Sequence, residues 1–360
     1  MTDDNSLIDF VAGVSGEGYL KVEEDFGDGF VRLRISEAER RQAKHDIRSF
    51  EDVVVEALRN SRDAHARRIF LASSREGDMR SLTVIDDGIG VPPHLHDRIF
   101  EPRVTSKLET MVTDTWGVHG RGMALFSIRE NVLSARVAAS DLHRGLSLTI
   151  VSDCNALSER ADQSTWPVVE PAEEGGLTVV RGPHNIVRRV LEFACEHPEV
   201  SVFLGTPTDA IATLHAVGRG TLASADLLFC DDVTKLPVWQ RPAAAADASE
   251  LVEIAAGIGL AVSERTAHRV LAGELPALEP VLAVVAGSAA SSGRVEPAPD
   301  IYRDRRGLKI HHADLGEFKR RLEQAFDVIA DRYFLHLKAE PKIVVGRDEI
   351  RVRFTVEKED

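Results

Sequence analysis

The sequence predicts an α+β fold, with helices on one face of a mixed, mainly antiparallel sheet and a smaller α/β and helical C-terminal region after it. Three observations predict it. Short β-type runs follow one another closely, with helices between only some of them, unlike the regular alternation of a doubly wound parallel sheet. Of the 360 residues, 43% are hydrophobic, which supplies a core and excludes wholesale disorder. Two stretches of linker composition, residues 241–247 and 287–299, interrupt the chain. At about 150 residues per domain, two domains or three are expected.

The elements follow in order. Residues 30–35 (Phe-Val-Arg-Leu-Arg-Ile) alternate as a strand does. Residues 49–66 read as a helix, with Ser49 as N-cap and Glu51 and Asp52 in the first turn, where the helix dipole favours carboxylates. Residues 69–73 and 81–85 are short β-type runs, and 122–132 form a helix. Residues 135–139, 146–151 and 177–180 again read as strands, 183–196 as a helix and 200–204 as a strand. In residues 251–278, Ser263 caps a short helix in a helix-turn-helix-like pattern. A helix over 318–335 and a hairpin of 342–345 and 349–356 close the chain.

Charge excludes some functions. Lys and Arg total 44 against 58 Asp and Glu, a net charge of −14, which argues against a chain coated in nucleic acid. The one basic stretch is residues 303–321, whereas 251–285 holds more Glu than Arg, so a helical hairpin is a better reading there than a duplex reader. No run approaches the roughly 18 apolar residues of a membrane helix. The start, Met1-Thr2-Asp3-Asp4-Asn5, does not resemble a secretory signal, so a cytoplasmic location is expected. Cys154, Cys195 and Cys230 lack metal-ligand spacing and read as buried thiols in a reducing compartment.

The chemistry concentrates in four segments. In Glu56-Ala57-Leu58-Arg59-Asn60-Ser61-Arg62-Asp63-Ala64, the residues Glu56, Asn60 and Asp63 fall at i, i+4 and i+7, within about 40° of Glu56 around a helix. A carboxylate there can deprotonate a water, and the Asn carbonyl beside it is a hard oxygen ligand suited to Mg²⁺. Asp86-Asp87-Gly88-Ile89-Gly90 ends an apolar run: a carboxylate at a strand end can accept from an exocyclic amine, and the glycines let the backbone approach a flat ring. Thr105, Ser106 and Lys107 can offer two hydroxyls and a cation to a polyphosphate, and the irregular run after them suits a lid. Gly117-Val118-His119-Gly120-Arg121-Gly122-Met123 precedes a helix, where backbone N–H groups favour phosphate. It lacks the Gly-Lys-Ser/Thr ending of a P-loop.

In this order and spacing the four segments resemble the Bergerat-fold ATP-binding module shared by gyrase, heat-shock chaperone, histidine kinase and MutL-type ATPases, over roughly residues 45–182. The resemblance implies ATP and Mg²⁺ as cofactors. It implies Glu56 as general base and Asn60 as ligand of the nucleotide's Mg²⁺. Asp63 belongs to the same motif, Asp86 would hold the adenine amino group, and Gly88 and Gly90 would shape its pocket. Lys107, Gly120 and Gly122 would contact the phosphates, and Thr105, Ser106, Gly117, Arg121 and Met123 are further nucleotide-binding candidates. Asp87 stands where many relatives have Asn.

Residues 89–102 are similar to the equivalent stretch of sensor histidine kinases, yet residues 1–44 leave no room for a dimerising helical hairpin. The glycine run is more similar to topoisomerase VI B-type ATPases, and the first motif is shared with MutL-type proteins. The resemblance thus implies ATP hydrolysis driving lid closure and homodimerisation, with DNA or a DNA-processing subunit as partner. Alternatives are a nucleotide-dependent or chaperone-like switch acting on a partner protein and, behind it, phosphotransfer. The implied division is an ATP-binding domain over 1–182, a transducer-like α/β extension over 183–240, a helical hairpin over 248–286 and a helix plus β-hairpin over 300–360. Lys338 or Lys342 is a candidate phosphate-sensing lysine.

Overall fold

The structure is a computed structural model that describes residues 22–35, 37–106, 112–114, 117–119, 122–172, 176–222, 232–290, 310, 312–346 and 349–358. The chain divides into two compact units, residues 1–291 and 292–360.

The first unit is built on a five-stranded sheet. Its strands are β3 (Arg68–Glu76), β4 (Met79–Asp86), β8 (Ser134–Ser140), β9 (Leu146–Asp153) and β12 (Ser201–Gly205). They lie in the order β12-β3-β4-β9-β8. Only β12 against β3 is parallel, with Ser201 opposite Arg68 and Gly205 opposite Ala72. The remaining pairs are antiparallel. This is the mixed, mainly antiparallel α+β architecture the sequence predicts.

One face carries three helices, α2 (Phe50–Asp63), α3 (Ala124–Asn131) and α4 (Ile186–Glu196). Phe50, Leu58 and Phe193 from the helices pack on Ile69, Leu71, Leu82, Leu148 and Ile150 from the strands. Successive strand residues point to opposite faces, so Phe70 and Ala72 of the same strand face the other way. There they meet Ile85, Ala139 and Phe203 and a second helical layer. The Phe70 and Phe203 rings stack 4.8 Å apart. That layer comprises α5 (Pro207–Thr221), α6 (Ala248–Gly257) and α7 (Glu264–Leu271). The sequence predicts helices on one face only; the second layer is an addition to it.

The linker-like stretch near 241–247 belongs to this packing. A 3-10 segment, Val238–Ala244, has Val238 fully buried and Trp239 nearly so, with the Arg68 guanidinium 4.9 Å over the indole. The helix-turn-helix-like pair is anchored by its turn: Ser147 Oγ donates to Ile258 O at 2.7 Å and Thr83 Oγ1 to Gly259 O at 2.8 Å. Two sheet hydroxyls thereby occupy carbonyls at the end of α6. α8 (Val281–Ala290) packs back on α4 and β12.

At one side, β1 (Val22–Gly27), β2 (Phe30–Leu33) and β5 (Val104–Thr105) form a small sheet in that order, and α1 (Glu37–Asp46) packs on α3. Two further hairpins are β6 (Val112–Asp114) with β7 (Gly117–His119), and β10 (Val168–Pro171) with β11 (Leu177–Arg181).

The second unit is α9 (His312–Tyr333) on a hairpin of β13 (Leu335–Val345) and β14 (Ile350–Lys358). Phe326 and Phe354 stack at 5.2 Å between helix and hairpin. Residues 303–309 of the basic stretch lie outside the described residues. Within it Lys319 pairs with Glu340, and Arg321 with Glu317 at 2.5 Å. Lys338 pairs with Glu357 at 3.2 Å.

Candidate functional site

The site is assembled where the C-terminal end of α2 meets the turn after β4. α2 starts where the sequence places it: Ser49 precedes it, and the Asp52 carboxylate accepts from the backbone N–H of Arg48 at 2.9 Å and of Ser49 at 3.0 Å. Its apolar side, Val53, Val54, Ala57 and Leu58, is buried on the sheet. That leaves Glu56, Asn60 and Asp63 on the adjoining side, each half-buried. The Glu56 carboxylate accepts from Arg59 Nη1 at 2.5 Å. Asp63 accepts from Arg62 Nη2 at 2.7 Å, and Arg62 also reaches His197 Nε2 at 3.1 Å.

Asp86, the last residue of β4, is fully buried. Ser61 Oγ donates to its Oδ2 at 2.7 Å and the Gly88 backbone N–H to its Oδ1 at 2.9 Å. Burial pushes its carboxyl up to about 6, against the opposing pull of those hydrogen bonds. Each carboxylate oxygen offers more than one lone pair, so acceptor capacity remains for a ligand N–H.

The turn after Asp86 tolerates no side chain at its glycines. A Cβ on Gly88 would stand 2.7 Å from Ala64 O. Gly90 has φ +71° and its Cβ would stand 2.1 Å from Asp141 O. The turn is stitched to both neighbours: Ile89 N–H donates to Ala64 O at 2.9 Å, and His143 N–H to Ile89 O at 2.6 Å. Ser140 Oγ accepts from Val91 N–H and donates to Gly145 O, both at 2.8 Å. Gly145, φ +77°, approaches so closely that a Cβ there would lie 2.1 Å from Asp86 O. The 140–145 loop is the part of this site that sequence reasoning misses; its signal is a glycine immediately before strand β9. Asp87 accepts from the backbone N–H of Arg67 at 2.6 Å and of Arg68 at 2.8 Å. Its second oxygen, Oδ2, accepts from Arg68 Nη1 at 3.4 Å, a donor that the NH2 group of an asparagine could not meet.

The chain on either side of the expected lid, residues 107–117, meets at Arg103. Its N–H donates to Gly122 O at 2.8 Å, and its carbonyl accepts from Leu33 N–H at 3.0 Å. Arg103 adopts φ +65°, as does Gly122. An L residue held there stores strain, and a side chain at Gly122 would come within 2.9 Å of Val104 O. Thr105, buried, and Ser106, half-buried, follow at the start of the segment. Gly117 lies in β7, and Met123 caps α3, with its carbonyl accepting from Ser127 N–H at 2.8 Å. Lys107, Gly120 and Arg121 lie outside the described residues.

Among the described residues, no three His, Cys, Asp or Glu side chains gather as a metal cage. The hard oxygen of Asn60 fits a Mg²⁺ held mainly by phosphates rather than by protein. No helix among the described residues is long and apolar enough to cross a membrane. No curated protein matches the chain. Residues 45–180 match the family model of the histidine kinase-, DNA gyrase B- and HSP90-like ATPases.

Proposed function

We propose that this protein binds ATP with Mg²⁺ and hydrolyses it. The observation that carries the reading is the buried Asp86 carboxylate, flanked by Gly88, Gly90 and Gly145 and joined through Ser61 to the helix that bears Glu56 and Asn60. A carboxylate buried at such a turn selects a planar ring with an exocyclic amine, as adenine presents. From there the polyphosphate would run toward α2 and the glycine segment, where Thr105, Ser106, Lys107, Gly117, Gly120, Arg121, Gly122 and Met123 would contact it. Asp63 would support the nucleotide's water shell from the same helix. Mg²⁺, bound to the triphosphate and Asn60, would offset the charge that develops on the phosphates. Glu56 would accept a proton from the attacking water.

Closure of the Lys107–Gly117 lid over the nucleotide would favour a homodimer, as in topoisomerase VI B-type and MutL-type ATPases, with DNA or a DNA-processing subunit as the object of the cycle. The test is ATP turnover by the full chain. Glu56→Ala should abolish phosphate release while a labelled ATP analogue still binds. Unchanged turnover would remove the assignment, and binding without turnover in the wild type would favour a nucleotide-dependent switch acting on a partner protein.

A further inference from the structure

We propose that Arg59 is a positioning residue for Glu56: its guanidinium holds the glutamate in the orientation that meets the attacking water. The inference rests on the reading of Glu56 as the base.

Arg59 lies one residue before Asn60, and at about 100° per residue it stands roughly 60° from Glu56 around the helix, flanking the stripe of motif residues. Arginine–glutamate pairs three apart are ordinary on solvated helix faces and contribute little there. This pair is not solvated. The Arg59 side chain is 5% exposed and the Glu56 side chain 20%, with Nη1 and Oε1 2.5 Å apart.

Burial in a low dielectric strengthens the attraction between the guanidinium and the carboxylate beside it. The constraint has a use. Glutamate has three rotatable side-chain bonds, and a base that wanders among rotamers is rarely aimed at its water. A buried guanidinium nitrogen held against one carboxylate oxygen restricts that freedom before the nucleotide arrives. A purely structural ion pair has no reason to include the one residue of the helix assigned a proton, because an apolar pair of similar volume stabilises a core equally well.

The experiment measures kcat and ATP affinity of the full chain with Mg²⁺ for Arg59→Met, Arg59→Lys, Glu56→Gln and Arg59→Met/Glu56→Gln. Arg59→Met should lower kcat about 30-fold with affinity within about threefold of wild type. Arg59→Lys, which keeps the charge but not the planar guanidinium or its reach, should lose about threefold or more in kcat and stand between the two. The double variant should be no slower than Glu56→Gln alone, since residues acting as a unit are non-additive. Wild-type kcat in Arg59→Met or in Arg59→Lys overturns the proposal, as does a parallel loss of kcat and affinity. If Arg59→Met does not fold by circular dichroism, Arg59→Lys alone decides. Full turnover by Glu56→Gln instead sinks the reading of Glu56 as base, a result distinct from failure of the positioning role.

Discussion

Asp86 sits under two opposing influences. Ser61 and Gly88 donate to its charged form, while complete burial opposes that charge and wins, leaving the carboxyl near 6. The unfolded chain would titrate near 3.8, so between those values the folded state binds the extra proton. Stability therefore rises as pH falls through about 6, and the charged form costs the fold up to about 3 kcal/mol at neutral pH. Urea titrations should show wild type gaining that amount relative to Asp86→Asn between pH 7 and pH 4. ATP affinity should run the opposite way, weakening below about pH 6 as the acceptor is neutralised, and Asp86→Asn should bind ATP at least about tenfold more weakly at pH 7. Gly90→Ala places a methyl group 2.1 Å from Asp141 O at a positive φ, so a loss of roughly 2–4 kcal/mol is expected from thermal unfolding. Glu56, Asn60 and Asp86 are legible in the sequence because motif spacing fixes them on one helix face and one strand end. Arg59 and Gly145 are not: an arginine on a helix reads as solvated until its burial is known, and Gly145 meets Asp86 only through a long-range strand pairing.

At the level of elements, β3 explains why the second helical layer escapes a reading of the sequence. Ile69-Phe70-Leu71-Ala72 is an unbroken apolar run, the pattern of a strand covered on both faces, whereas alternation marks a strand with one face in water. The run identifies a strand without saying what covers it. Its partners on the second face come from residues 207–271, too distant in sequence for any local pattern to join. The attachment can be measured. Ser147→Ala leaves the Ile258 carbonyl without its buried donor, and a loss of about 1–2 kcal/mol is expected from chemical denaturation. A salt link shows the same dependence on tertiary context. Glu159, 3% exposed, accepts from Arg80 Nε at 2.7 Å and from Arg75 Nη1 at 2.7 Å, so Glu159→Ala should cost about 3–5 kcal/mol by leaving Arg80 buried without it.

For the molecule as a whole, the reach of the ATPase match and the reach of the core differ. The match ends at residue 180, yet Val190, Leu191, Phe193 and Val202 fill the same core as Phe50 and Leu58, and β12 continues the sheet beyond β3. A fragment of residues 45–180 would expose the β3 edge and the apolar side of α2. It should show no cooperative thermal transition, unlike the full chain. The dimer proposed for the nucleotide-bound state predicts a doubling of mass by light scattering when a non-hydrolysable ATP analogue and Mg²⁺ are added; constant mass would discard it.

Local sequence suffices for the α+β class, the helix that carries Glu56, Asn60 and Asp63, the acidic glycine turn at Asp86, and the glycine run before α3. These follow from short-range rules: helical periodicity, turn chemistry and the phosphate preference of helix N-termini. It took the folded chain to cover both faces of the sheet, to make core of Ala243 and Ala245 in the linker-like stretch, to brace the Asp86 turn with the loop ending at Gly145, and to bury Arg59 against Glu56. Those facts depend on burial and on contacts between residues far apart in the chain, and burial is a property of the folded whole.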